Sequence, residues 1–313
     1  MDLSPASPHP ALLGAIGVAL ALNVGGTLAT LVLPGLRGPD KKASRQAITS
    51  WWPVTILWSL PVLFGAPVAL AVSGLVSLLV LREWQALTPG VERHPALDGI
   101  ALLTIPVELA LVAQGPGFAP FALPMGVGAL LLPLLRLRLL PIPGVVLGAG
   151  RALWGLLLGV LAIAHVPMLF WLPPEVGPAG PQGLLAFLLL FVLMNDAVQW
   201  MSGKLFGRHP IAPVISPKKT WEGLIGGLLA NGLIGTLIAP SITPFSPIQA
   251  FGVASGLSLL GFLGDLLESA IKRDLGVKDS GDLLPGQGGA LDRHDSLLTC
   301  APAFTWLVWA LYG

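Results

Sequence analysis

The chain has 313 residues, 54% of them hydrophobic and only 11% charged, with a mean hydropathy of +0.81. A soluble domain carries about a quarter charged residues, so this composition belongs in a bilayer. The net charge of +1 excludes the strongly basic face that holds nucleic acid, and the single cysteine, Cys300, excludes both a disulfide framework and a cysteine-based zinc site.

A membrane span takes roughly 20 mostly apolar residues, and the windows that qualify run, in chain order, over 11–33, 47–64, 66–86, 98–114, 119–138, 151–172, 182–203, 222–240, 247–271 and 296–312. No Lys or Arg precedes Ala11, unlike the start of a signal peptide, so the first window is expected to be a retained span. Gly65-Ala66-Pro67 parts the second window from the third, either as a hairpin between two short spans or as a kink in one long one. Charge parity selects the hairpin. With ten spans and the N-terminus outside, Arg37, Lys41, Lys42, Arg45, Arg82, Arg93, Arg136, Arg138 and Arg151 fall inside, as do the eight basic residues that follow them. All 17 basic residues then obey the positive-inside rule, and fusing the two windows would break it. The expected fold is all-α and polytopic, with about ten transmembrane helices. Residues 1–181 form an N-terminal membrane region, and 182–313 form a catalytic region with a cytoplasm-facing polar pocket. Glycines four apart, Gly223 with Gly227 and Gly252 with Gly256, would let the eighth and ninth helices approach a neighbour.

Ionisable groups inside spans are costly and mark function by default. They are Glu108, Asp196, Asp265 and Glu268. On a helix, Asp265, Glu268, Ser269 and Lys272 share one face, a polar stripe that is either the wall of an aqueous pocket or an internal ion pair between helices. After it come Lys272-Arg273, Lys278-Asp279, the glycine-rich run Pro285-Gly286-Gln287-Gly288-Gly289, and Asp292-Arg293-His294-Asp295-Ser296. Carboxylates spaced closely among basic groups suit a hard divalent cation with phosphate oxygens, and magnesium needs only one or two carboxylates besides the phosphates. Asp265 and Asp292 would suffice, while the glycine turn offers N–H groups to a phosphate. Asp292, Asp295 and Ser296 also suit a plain helix cap. A second inner loop, Ser216-Pro217-Lys218-Lys219-Thr220-Trp221-Glu222-Gly223, adds adjacent lysines for a lipid or nucleotide phosphate, and Ser216 or Thr220 would start the next helix.

The run Ser269-Ala270-Ile271-Lys272-Arg273, then Lys278-Asp279, Leu284-Pro285-Gly286-Gln287-Gly288-Gly289 and Asp292-Arg293-His294-Asp295 resembles the signature of the phosphatidate cytidylyltransferases, or CDP-diacylglycerol synthases. Ser216–Gly223 resembles that family's second block, and the likeness covers about the last third, from Asn195 to Ser296. Three departures mark a divergent member: Gln287 for the usual histidine, His294 for an apolar residue, and Ala290 for a larger aliphatic one. The resemblance implies cytidylyl transfer from CTP to phosphatidate, giving CDP-diacylglycerol and pyrophosphate, by an enzyme of the cell's inner membrane whose site faces the cytoplasm. It implies Mg2+, with room for a second cation, on Asp265 and Asp292, with Asp295 and Asp196 as further ligands or their supports. Lys272, Arg273 and Arg293 would act in catalysis beside the metal carboxylates; Ser216, Lys218, Lys219, Lys278, Asp279, Gly288 and Gly289 would bind substrate. The alternatives are a different lipid phosphate, such as an isoprenoid ether lipid, or a cation-coupled secondary transporter using the intramembrane acids. A homo-oligomer stays open.

Overall fold

The structure is a computed structural model that describes residues 51–87, 92–283 and 288–313 and part of the stretch 9–24. Most of the first expected span, the basic loop 37–45 and the run 284–287 with Gln287 lie outside the described residues. In order come α1 (Trp51–Phe64), α2 (Ala66–Leu87), α3 (Pro95–Gln114), α4 (Ala119–Leu139), α5 (Val145–Trp171) and α6 (Gly180–Phe206), then a hairpin of β1 (Pro210–Ala212) and β2 (Ser216–Thr220), and finally α7 (Trp221–Ile242), α8 (Pro247–Asp274) and α9 (Ala290–Tyr312). The chain is an all-helical, polytopic membrane protein: among the described residues, α2 to α8 are seven helices long and apolar enough to cross a bilayer.

Gly65, with φ of +75°, breaks α1 from α2, a turn that only glycine makes without strain. The two helices run antiparallel. Trp51 and Trp58 of α1 reach Arg293 and His294 at the start of α9, while Val62 near the break receives Gln182 of α6 at 3.1 Å. Glu83, near the far end of α2, returns to Ala290. The chain thus breaks at Gly65 as the hairpin reading expects, with α1, at 14 residues, shorter than the seven spanning helices.

α6 is apolar all round from Leu184 to Phe191, and a helix of that kind belongs at the centre of a bundle. Phe187 and Phe191 accordingly stack there with Phe245 and Phe304. Lower on α6, Asn195 and Gln199 meet Asn231 of α7 and Ser258 of α8 in a buried polar knot, with Ser258 Oγ donating to Asn195 Oδ1 at 2.6 Å and Asn231 Nδ2 to Ser258 Oγ at 3.0 Å. Buried hydrogen bonds of this sort fix the register between helices surrounded by lipid. Gly223 and Gly227 bring α7 against Gln199, as their spacing predicts, whereas Gly252 and Gly256 face open space.

At the opposite side of the bundle, Arg151 Nη2 donates to Gln85 O at 2.8 Å and to Asp98, and Arg136 donates to Glu92 O at 3.0 Å. Trp84 joins this group through the carbonyl of Arg151 at 2.8 Å, and its neighbour Glu83 joins the start of α9. Among the described residues, Arg151 is thus tied to the end of α2 that also meets the start of α9.

Candidate functional site

The hairpin pairs Pro210 with Thr220 and Ala212 with Ser216. On β2, Lys218 is exposed and Lys219 is half-buried, turned toward α8. Thr220 caps α7 by accepting the Gly223 N–H at 3.2 Å, and Glu222 in the first turn accepts the N–H groups of Arg208 and His209, which pins the hairpin to the helix.

Lys219 Nζ lies 2.7 Å from Asp265 Oδ2 and 4.5 Å above the Phe262 ring. Ser269 Oγ donates to the other Asp265 oxygen at 3.2 Å. Asp196 of α6 and Asp295 of α9 are within electrostatic reach of Asp265, with Arg293 near Asp196. The structure thus gathers Asp196, Asp265, Asp295, Lys219 and Arg293 from four elements. Three carboxylates against two cations leave an excess of negative charge that a hard cation would neutralise.

Asp292 occupies a second, adjoining cluster. Its Oδ1 takes Lys272 Nζ at 2.6 Å, and Lys272 is also 2.6 Å from Glu268. Its Oδ2 accepts the N–H of Ser280, the hydroxyl of Ser280 and the N–H of Gly289, each at 2.7 Å. Part of the polar stripe on α8 is thus an internal ion pair between helices, and Asp292 does cap α9. Burial pushes the Asp292 carboxyl up, but the Lys272 ammonium and the donors of Gly289 and Ser280 outweigh it and hold the group down at about 2. Among the described residues, no three His, Cys, Asp or Glu side chains converge closely enough to hold a metal unaided.

Arg273, in the last turn of α8, and Lys278 and Asp279 beyond it are exposed; Arg273 donates to Val277 O at 3.2 Å, and the chain turns at Gly276, φ +70°. Ser216 is half-buried at the other end of β2. Gly288, φ +82°, packs on Asp292, and a side chain at Gly289 would strike Glu83. The N–H groups of residues 289–291 point at carboxylates: Gly289 to Asp292, Ala290 and Leu291 to Glu83. Between Trp84, Glu268, Lys272 and Asp295 lies a cavity of about 20 Å3, about the space of one water.

Two residues at the site are not apparent from the sequence. Glu83 carries only the signal of a carboxylate near the end of a span. Trp58 explains His294: its indole N–H donates to His294 Nε2 at 3.0 Å, and His294 Nδ1 donates to Ala290 O at 2.7 Å. The departure from the apolar residue is a satisfied structural histidine.

The sequence matches the Cytidylyltransferase family over residues 45–311. It is 34% identical over 293 residues to YnbB, an uncharacterised protein of Escherichia coli K12, a match covering 90% of this chain and 94% of that one. It is 42% identical over 142 residues to a phosphatidate cytidylyltransferase of Mycobacterium bovis, 44% of each chain, and 42% identical over 145 residues to one of Staphylococcus aureus, 46% of this chain and 55% of that one. The match spans about half the length of these two enzymes. With a family match over most of its length, carried on a membrane bundle that converges its carboxylates and basic residues at one end, the chain belongs to the cytidylyltransferase family.

Proposed function

We propose that this protein is a membrane nucleotidyltransferase that transfers the cytidylyl group of CTP to phosphatidate, giving CDP-diacylglycerol and pyrophosphate. The observation that carries the reading is the convergence of Lys219–Asp265 with Asp196, Asp295 and Arg293 beside the Lys272–Asp292 pair. A phosphate monoester oxygen of the lipid attacks the α-phosphorus of CTP, the bond from that phosphorus to the bridging oxygen breaks, and pyrophosphate leaves. The attacking phosphate is largely ionised at neutral pH, its second pKa being about 6, so no general base is required. Catalysis reduces to alignment of two anions and neutralisation of their charge.

One or two of Asp196, Asp265 and Asp295 would hold Mg2+, which when bound supplies charge neutralisation at the phosphates. The donor set fits, since magnesium takes one or two protein carboxylates and completes its shell from phosphates and water. Asp292 adjoins this set and orients Lys272. Lys219, Lys272 and Arg293 line the approach of the triphosphate, and the exposed Lys218, Arg273 and Lys278 draw in the lipid and nucleotide anions from the cytoplasmic face of the inner membrane. The full count of ten spans, with the basic end inside, belongs to the same reading.

The test is to incubate purified protein in detergent with CTP, phosphatidate and Mg2+ and identify the lipid product by mass. CDP-diacylglycerol with stoichiometric pyrophosphate is expected, and absence of any cytidylylated lipid overturns the reading. A different lipid phosphate is the second reading, favoured by the full-length match to YnbB beside the half-length matches to the phosphatidate enzymes. Competition between phosphatidate and an isoprenoid ether lipid phosphate decides between them. The family match favours the enzyme over the transporter alternative.

A further inference from the structure

Glu83 stands near the end of α2, more than 200 residues from the segment it touches. Its Oε1 accepts the Ala290 N–H at 2.7 Å, its Oε2 accepts the Leu291 N–H at 2.9 Å, and the Ser280 hydroxyl, whose one proton is shared with Asp292 at 2.7 Å, lies 3.2 Å from Oε2. A carboxylate at this place satisfies two of the four N–H groups that begin α9 and complements the helix dipole. Ser280 is the partner that Asp292 also grips, through both its N–H and its hydroxyl. Glu83 and Asp292 therefore clamp one loop from two sides, and Asp292 in turn holds Lys272. The glycines of this region leave room for the clamp: a methyl at Gly281 would lie 3.1 Å from the Glu83 carboxylate, and one at Gly289 would overlap it.

We infer that Glu83 is a positioning residue for the cytidylyl transfer. By fixing Ser280 and the first turn of α9 it sets the placement of Asp292 and Lys272, so the N-terminal half of the bundle supplies part of the active machinery. The inference rests on the proposed cytidylyl transfer. The same geometry has one competing explanation, in which Glu83 merely fills an anion site that a substrate phosphate takes over. The two differ in sign. A positioning carboxylate supports kcat, whereas a placeholder competes with CTP and raises its KM.

Glu83→Gln keeps the length but turns one acceptor into a donor facing the Leu291 N–H, and Glu83→Asp keeps the charge but shortens the reach. The experiment measures kcat and KM for CTP per folded protein in lipid nanodiscs, with hydrogen exchange over residues 276–291. Glu83→Gln is expected to lower kcat at least tenfold, to leave KM for CTP within threefold and to speed exchange at Ser280, Ala290 and Leu291, with Glu83→Asp between it and the wild type. Gly281→Ala, which presses on the same carboxylate, should reproduce the pattern in milder form and serves if Glu83→Gln does not insert. Wild-type kcat in Glu83→Gln, or a lowered KM for CTP, overturns the inference. If the wild-type protein makes no cytidylylated lipid, the reaction assigned above fails, while the exchange measurement still reports whether Glu83 holds the loop.

Discussion

Lys218 and Lys219 are adjacent and chemically alike, yet the strand they occupy puts them in different surroundings, one in solvent and one 2.7 Å from Asp265. Lys219→Ala is expected to lower CTP turnover at least tenfold, about 1.4 kcal/mol of transition-state stabilisation, and Lys218→Ala by less; equal effects, measured per inserted protein, would contradict the split. Asp265→Asn removes one charge at constant size and should cost about 100-fold or more, in the range of a lost electrostatic contact at a reacting phosphate. Asp292 adds a pH signature. Its carboxyl is held below the ordinary 3.8, at about 2, so its contribution is fully present above pH 4 and is lost as the pH falls through the window from about 4 to 2. Protection of the Ser280 amide, taken relative to its intrinsic exchange rate at each pH, should fall across that window in the wild type and not in Asp292→Asn. The acids were legible because a carboxylate inside an apolar run demands a purpose. Their partners were not, since nothing local in the chain says that Asp292 turns to Ser280 and Lys272, or that Glu83 meets Ala290.

Helix starts moved in a consistent direction: α5, α6 and α9 begin at Val145, Gly180 and Ala290, before the apolar windows at 151, 182 and 296. Hydropathy finds the stretch that lipid covers, but a helix continues through polar turns whose N–H groups find caps, which is how Asp292 and Asp295 come to lie within α9. The separation of α1 from α2 was legible through Gly65 and charge parity. The Trp58–His294 pair between α1 and α9 was not. Trp58→Phe or His294→Leu leaves a buried polar partner unsatisfied and should cost about 1–3 kcal/mol. The double variant should cost less than the sum, read by thermal unfolding in detergent, and additivity would mean that the two do not interact. Spacing alone held for Gly223 and Gly227 but not for Gly252 and Gly256. Ala at Gly223 or Gly227 should destabilise by crowding Gln199, whereas Ala at Gly252 or Gly256, with no neighbour within 4 Å, should leave the melting temperature unchanged.

For the whole molecule, the 17 basic residues predicted a sidedness. Among the described residues, Arg93 and Arg151 meet at Asp98, Lys219 meets Asp265 and Lys272 meets Asp292, and labelling tests the sidedness itself. Cys300 is the one native thiol and is buried, so a Cys300→Ser background allows single cysteines to be placed at will. Cysteines at the exposed positions 214 and 278 should label from the cytoplasmic side and one at 178 from the other; labelling of 214 and 278 from opposite sides would separate the two halves of the site. The contact between Glu83 and Ala290 also bears on how the protein is made. The two residues are 207 positions apart, so at about 5–20 residues per second the ribosome delivers the second roughly 10–40 s after the first. Through that interval α2 sits in the membrane with a carboxylate whose partners do not yet exist. Helix α9, threaded later, is the one that quiets it, and a chain interrupted before residue 290 leaves that charge unmatched.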